Sequence, residues 1–301
     1  MKKIYVIVVT YQGMKWYDKC FTSLRESTYP VRTIVVDNTP GEEGANYIQE
    51  HYPEIHLIKT TKNIGFGKGN NVGMRFALDA GCDYVFLLNQ DAWVEPEMMG
   101  ILVQVAEKYP EYGLLSPIHL KPLKNHLNMM LDDGMNNYEL ISDLYCHIDL
   151  QDVYPITYSN AAGWLLSRNA LLDVGGFDPI FNHFGEDDNY LARLLFHKFE
   201  IGLCPKAVMV HADSDLLIPF SENDEHYRET VVDLITWTNI TLPNSLERCL
   251  WKSLLKCISF CFRFNSKKRK YHWERYQRAK KYKDRVILSR QNNMERKPSW
   301  L

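Results

Sequence analysis

Side chains able to do chemistry sit in this chain where apolar runs break off. The run from Tyr84 to Leu88 stops at Asn89, Gln90 and Asp91. A buried strand that ends in two amides and a carboxylate places polar groups at its C-terminal edge, where open α/β sheets bind ligands. Asp91 is therefore a candidate for a metal or phosphate-linked role; the competing reading makes it a cap for a helix starting near Glu95. Asp37 ends a second apolar run and could read a ribose or a base edge, or simply form an Asx-turn. Glu186, Asp187 and Asp188 are three carboxylates in a row at a helix start. The helix macrodipole favours them there, but their mutual repulsion costs stability unless a ligand or cation offsets it. Arg193, on the same segment, is available to pair with one of them. His211 closes an apolar run, a position that is more often merely exposed than ligating.

The elements that must hold these groups follow from the hydrophobic pattern. Residues 4–10, 33–36, 55–59, 84–88, 114–118, 164–166 and 206–211 read as strands, the first nearly all apolar, as a parallel strand covered on both faces requires. Helices are expected near 15–27, 43–51, 70–80, 95–108, 168–174 and from 186 onward, and the alternation argues βαβ units. Between the third strand and its helix, Asn63-Ile64-Gly65-Phe66-Gly67-Lys68-Gly69 has the wrong spacing and the wrong place for a dinucleotide or Walker loop. Its glycines would let backbone approach a ligand. So would the small residues Asn160 to Gly163. Residues 121–154 read as an irregular insert that could shape an acceptor site, or as a flap without a role.

The chain has 301 residues, 46% of them hydrophobic, and a net charge of −2, which gives no overall attraction to nucleic acid. Seven cysteines lie scattered without a CxxC pair, so reduced thiols in a cytoplasmic setting are expected. No run is long enough to span a bilayer, and the N-terminal apolar run is too short for a secretory leader. Beyond about residue 215 the pattern changes. Helices are expected at 227–242 and 246–262, the second amphipathic. From Arg263 to Arg285 eleven basic residues face two acidic ones, a net +9 with aromatic residues interleaved. An apolar helix beside such a segment suggests docking on an anionic membrane surface; the alternative is a basic helix packed back on the domain. Nucleic acid is disfavoured, since no recognised module is present.

Taken together, Val9-Thr10-Tyr11, Val36-Asp37-Asn38, Asn63-Ile64-Gly65-Phe66, Asn89-Gln90-Asp91, Gly175-Gly176-Phe177-Asp178, Glu186-Asp187 and His211 resemble, in order, the motifs of family 2 glycosyltransferases, most closely the bacterial rhamnosyltransferase-like branch. The resemblance covers about residues 1–215. It implies a GT-A fold, a mostly parallel central sheet flanked by helices, followed here by a helical, basic C-terminal region at 216–301. It also implies roles. Thr10, Tyr11, Asp37, Asn63, Gly65 and Gln90 would bind the nucleotide. Asp91 and His211 would hold Mg2+ or Mn2+. Asp187 would be the catalytic base, with Glu186 and Asp188 near the acceptor. Three positions depart from the pattern: Gln12 for Asn, Asn89 for the first Asp of DxD, and Asn189 for the second Asp of the acidic motif. The implied enzyme is an inverting, metal-dependent transferase acting on a UDP- or dTDP-linked sugar and a glycan or lipid-linked acceptor, in surface polysaccharide synthesis. It would work in the cytoplasm, or peripherally on the inner face of the membrane. A sugar nucleotidyltransferase and a non-catalytic sugar-binding relative are the alternatives.

Overall fold

The computed structural model describes residues 1–128, 137–212, 222–243, 245–262 and 264–301. Strand β1 (Ile4–Thr10) shows how the sequence builds the core. Its alternate residues feed opposite faces: Ile4, Val6 and Val8 join one apolar cluster, Tyr5 and Ile7 the other. The first cluster is closed by α1 (Met14–Arg25) and α4 (Met98–Lys108), the second by α3 (Phe66–Asp79), α6 (Arg168–Val174) and α7 (Glu186–Phe196). A strand buried on both faces must sit inside a sheet with helices above and below it.

That sheet has nine strands in the order β3-β2-β1-β4-β8-β6-β9-β5, with β7 (Tyr154–Pro155) pairing β9 off this path. Strands β2 (Val31–Asp37), β3 (His56–Lys59), β4 (Tyr84–Asn89), β6 (Tyr112–Leu120) and β9 (Glu200–His211) run with β1, while β8 (Gly163–Ser167), β5 (Ala92–Val94) and β7 run against it. The sheet is thus mostly parallel, in a GT-A arrangement. The parallel half puts the ends of β1, β2, β3 and β4 at one edge.

Several boundaries differ from the sequence reading. Helix α3 begins at Phe66 rather than Asn70, so Gly67 and Gly69 belong to it. A Cβ on Gly67 would meet Phe177 at 3.1 Å, and one on Gly69 would meet Val9 at 2.8 Å. These glycines bring the helix close to its neighbours, which corrects the expectation that they open the backbone to a ligand. Asp91 does not cap α4: that helix starts seven residues later, after Glu97, with β5 between. The insert at 121–154 contains α5 (Tyr138–Tyr145), capped by Asn137, whose side chain accepts from the Leu140 amide at 3.0 Å. Its residues 129–136 lie outside the described residues, as does the expected domain boundary at 215/216.

The C-terminal region is helical: α8 (Glu222–Thr238), α9 (Ser245–Phe262) and α10 (Ser266–Met294). They share a third apolar cluster with Ile180 and Phe181, including Trp237, Leu246, Ala279 and Val286. Three of the basic residues in the polybasic stretch are structural ties, one of them Arg285, which donates to the Ile180 carbonyl at 3.2 Å. Arg275 and Arg278 both bond Asp233 of α8, at 2.8 Å and 3.2 Å. Asp178, in the Gly-Gly-Phe-Asp turn, accepts from Ser289 at 2.5 Å and Asn293 at 2.9 Å of α10. This half of the region packs back on the sheet domain. All seven cysteines are free. Among the described residues no helix is long and apolar enough to cross a membrane.

Candidate active site

The strand ends open into a cleft of about 670 Å³. Tyr11, Asn63, Gly65, Gln90 and Asp91 line it from the parallel half of the sheet, and Glu186, Asp187, Asp188 and His211 from α7 and β9. Nine of the eleven residues singled out in the sequence therefore meet at one place.

The two exceptions are Thr10 and Asp37. Both are fully buried and neither lines the cleft. Thr10 donates to Asp37 at 2.9 Å, Lys59 donates to its other oxygen at 2.7 Å, and the Thr39 amide adds a third bond at 2.9 Å. Burial alone would raise this carboxyl's pKa; the bonds from Lys59, Thr39 and Thr10 outweigh it and hold the group below the usual carboxylate range. Asp37 fixes the β2 turn so that its neighbour Asn38 faces the cleft and donates to Gly65 O at 3.2 Å.

Asp91 and His211 meet because β5 and β9 are antiparallel neighbours. The register pairs Ala92 with His211, and the Ala212 amide bonds Asp91 O at 3.0 Å. Asp91 Oδ1 lies 3.4 Å from His211 Nε2, and Asn89 Nδ2 lies 3.3 Å from the same nitrogen. Two donors bound to one small cation at right angles sit roughly 3 Å apart, so this carboxylate–imidazole pair fits a divalent ion. Among the described residues no cluster of three metal-ligating side chains forms. A cation here would complete its shell with ligand oxygens and water, as Mg2+ or Mn2+ does. Behind the pair lies His119, buried, its ring centre 6.4 Å from that of His211. Burial and the neighbouring imidazole push its pKa down to about 3, so it adds no positive charge that would repel a cation.

Gln90 is a clasp. Its Oε1 accepts from the Tyr11 amide at 2.9 Å and its Nε2 donates to the Tyr11 carbonyl at 3.1 Å, locking the end of β4 to that of β1.

On the facing wall, α7 starts after Gly185, at φ +85°, where a Cβ would crowd Phe181 and Ile235 at 2.9–3.0 Å. That turn aims three acids inward. Asp187 Oδ2 accepts from the Ala161 amide at 3.0 Å, so the small residues of 160–163 approach a carboxylate of the chain itself. Burial, then the charge of Glu186, lifts the Asp187 pKa well above the ordinary value. Burial, with Asp188 adding repulsion, raises Glu186 to about 7. Arg193 relieves none of this: it is turned away and donates to the carbonyls of Gly176, at 2.6 Å, and Val174. The departing Asn189 is buried and donates to Thr238 of α8 at 3.1 Å, so it holds helices together and does not line the cleft. The sequence reading missed Asn182, Val231 and Ile235, which also line the cleft. The last two are apolar residues of a helix and carry no chemical signal of their own.

The glycosyl transferase family 2 pattern matches residues 5–171. An N-acetylglucosaminyl-diphospho-decaprenol L-rhamnosyltransferase of Mycobacterium tuberculosis is 24% identical, over 76% of this chain and 83% of its own. The dTDP-rhamnosyl transferase RfbF of Shigella flexneri is 22% identical over 70% of each chain. Among solved structures, mannosyltransferase PcManGT from Pyrobaculum calidifontis, in complex with GDP-Man and Mn2+, aligns with a TM-score of 0.55 at 17% identity, over 80% of this chain and 63% of its own. GalNAc-T7 with UDP, GalNAc and Mn2+ aligns at 0.59 with 12% identity, over 78% and 49%. These two likenesses are of fold, and the fold is GT-A. With the pattern spanning more than half of its length and rhamnosyltransferases among its relatives, the chain belongs to glycosyl transferase family 2.

Proposed function

We propose that this glycosyltransferase moves a sugar, with inversion, from a nucleoside-diphosphate donor to a hydroxyl of a glycan or lipid-linked acceptor. The observation that carries the reading is the single cleft with a cation-fitting Asp91–His211 pair on one wall and the desolvated acids of α7 on another. Tyr11, Asn38, Asn63 and Gly65, at the ends of the parallel strands, would receive the nucleotide, as switch-point edges do. Asp91 and His211 would hold Mg2+ or Mn2+, which when bound neutralises the charge that builds on a departing diphosphate. Asp187 would take the proton of the attacking hydroxyl. Its raised pKa makes it a stronger base than an exposed carboxylate, and the Ala161 amide fixes its direction. The developing positive charge at the sugar carbon would be oxocarbenium-like, as in glycoside hydrolysis. Glu186 and Asp188 would orient the acceptor.

The rhamnosyltransferase relatives, one of which is named for a diphospho-decaprenol acceptor and one for dTDP-rhamnose, favour dTDP-rhamnose as the donor to try first, with UDP-linked sugars next. With a lipid-linked acceptor, as the first of these names carries, the reaction would belong to surface polysaccharide synthesis on the inner face of the membrane. The family match weighs against a sugar nucleotidyltransferase. The test is incubation with a panel of dTDP- and UDP-sugars with and without Mn2+. Slow, cation-dependent release of nucleoside diphosphate supports the reading; binding without turnover points to a non-catalytic relative, and triphosphate-dependent release of pyrophosphate to a nucleotidyltransferase.

A further inference from the structure

Among the described residues, nothing in the sheet domain or in α8 covers the outer face of α9. Helix α9 turns its inner side, Leu246, Cys249 and Ser253, into the protein. Phe260 is stacked on His272 of α10 at 5.6 Å, with Lys268 above the same ring, so α9 and α10 are zipped into a hairpin. The opposite side of α9 carries Trp251, Leu255, Ile258 and Phe262 at 68%, 61%, 48% and 81% exposure. Their spacing of four, three and four residues places them on one stripe, about 16 Å long. Phe264, in the hairpin turn, extends it at 96% exposure.

The charge around this stripe is of one sign. Lys252 and Lys256 each follow a stripe residue by one position and are exposed, which sets cations along one side of it. Four consecutive exposed cations, Lys267 to Lys270, open α10 just past the turn. Unlike Arg275 and Arg278, which bond Asp233, these meet little acidic charge among the described residues, where Lys270 pairs with Glu274 at 3.8 Å. Over residues 245–275 nine basic side chains face two acidic ones.

We infer that the outer face of α9 and the α9–α10 turn dock on an anionic lipid surface, the aromatic and aliphatic stripe entering the interface and the lysines and Arg269 meeting headgroup phosphates. An amphipathic helix with a cationic flank and bulky aromatic residues binds at that boundary, by apolar burial plus attraction to anionic lipid. A second copy of this chain would bring the same cations against themselves. The helix lies along the surface; it does not cross it.

Vesicle flotation with the full chain tests this without reference to sugar transfer, so it can fail while the transferase reading stands. Vesicles of equal parts phosphatidylglycerol and phosphatidylcholine are expected to carry the protein, and pure phosphatidylcholine vesicles at least about tenfold less, with binding lost at high salt. Two variants separate the contributions: Trp251→Ser with Leu255→Ser removes half of the stripe, and Gln at positions 267, 269 and 270 removes three of the four cations while leaving Lys268 on the Phe260 ring. Each should reduce flotation about tenfold or more while leaving the thermal melt unchanged, because the altered side chains are exposed. Equal flotation on neutral and anionic vesicles, undiminished flotation of either variant, or self-association abolished by the stripe variant with no vesicle binding would each overturn the inference.

Discussion

Asp187 sits in the first turn of α7, where the macrodipole would ordinarily ease a carboxylate into its charged form, yet burial and Glu186 push the other way. A carboxyl held this way serves as a base once the acceptor arrives. Asp187→Asn keeps the shape and removes the basicity. It should bind the donor as the parent does and transfer sugar 10²–10⁴-fold more slowly, the usual worth of a positioned base. Donor binding by calorimetry and turnover by nucleotide release check the two halves separately. Normal turnover would remove Asp187 from the reaction. His211→Ala should instead weaken the cation, raising the Mn2+ concentration for half-maximal activity about 10–100-fold, on the scale seen when ligand surroundings of a metal are altered. Glu186 gives a pH signature of its own. Its folded pKa of about 7 lies above the ordinary 4.5, so between those values the folded protein holds a proton that the unfolded chain has lost. Stability therefore falls as pH rises through that window, and by pH 8 the cost is fully present. Glu186→Gln should raise the melting temperature at pH 8, by on the order of 2 kcal/mol of stability, and do little at pH 4. A uniform shift across pH would mean that the raised proton affinity lies elsewhere.

The elements show how a short stretch of helix sets the position of strand β1. Gly73 lies inside α3, and a Cβ there would come within 2.5 Å of Ile7 Cγ2 on a fully buried, β-branched side chain with nowhere to turn. In an exposed helix Gly→Ala would stabilise by about 1 kcal/mol. Here Gly73→Ala should destabilise by about 1–3 kcal/mol, because α3 must lift from β1. Urea denaturation reads the sign directly, and a gain in stability would show that this contact yields. The same scale explains what could be read ahead of the structure. Apolar runs that stop at Asp37, Asn89 and Asp91 are visible because strand burial forces the run and the sheet edge forces its end. That Asp91 and His211 share a cation is implied by the family resemblance, but the strand pairing that unites them could not be read from the hydrophobic pattern. It depends on β5, only three residues long, finding the register opposite β9, and so short a strand has no period to recognise. Asp37 looked like a ligand contact for a similar reason: its partner Lys59 comes from a different strand, 22 residues on, and only the β2–β3 register brings the ammonium to it. Arg193 looked like a partner for the acids of its own helix, but its side chain is spent on the carbonyls that end α6 and begin the Gly-Gly turn.

At the scale of the whole molecule, the C-terminal helices and the cleft share one element, α8. Val231 and Ile235 of that helix line the cleft, and between them Asp233 holds Arg275 and Arg278 of α10. Asp233 and Arg278 are nearly buried, at 4% and 5% exposure. Without Asp233, buried Arg278 would keep Glu229, 2.8 Å away and partly exposed, but lose its buried carboxylate, and breaking a buried pair costs far more than the pair itself contributes. Asp233→Ala is therefore expected to destabilise by about 3 kcal/mol. Its consequence should not stay local. With α10 loosened from α8, residues 245–301 should become sensitive to limited proteolysis. The cleft wall formed by Val231 and Ile235 should lose definition, raising KM for the acceptor more than it lowers kcat, since the chemistry resides on α7 and β9. Asp233→Asn, which keeps a hydrogen-bond acceptor but not the charge, should fall between the two in protease sensitivity. If Asp233→Ala proved as protease-resistant and as active as the parent, the helical region would be an attachment that the cleft does not feel, and α8 would have to be assigned to the C-terminal region alone.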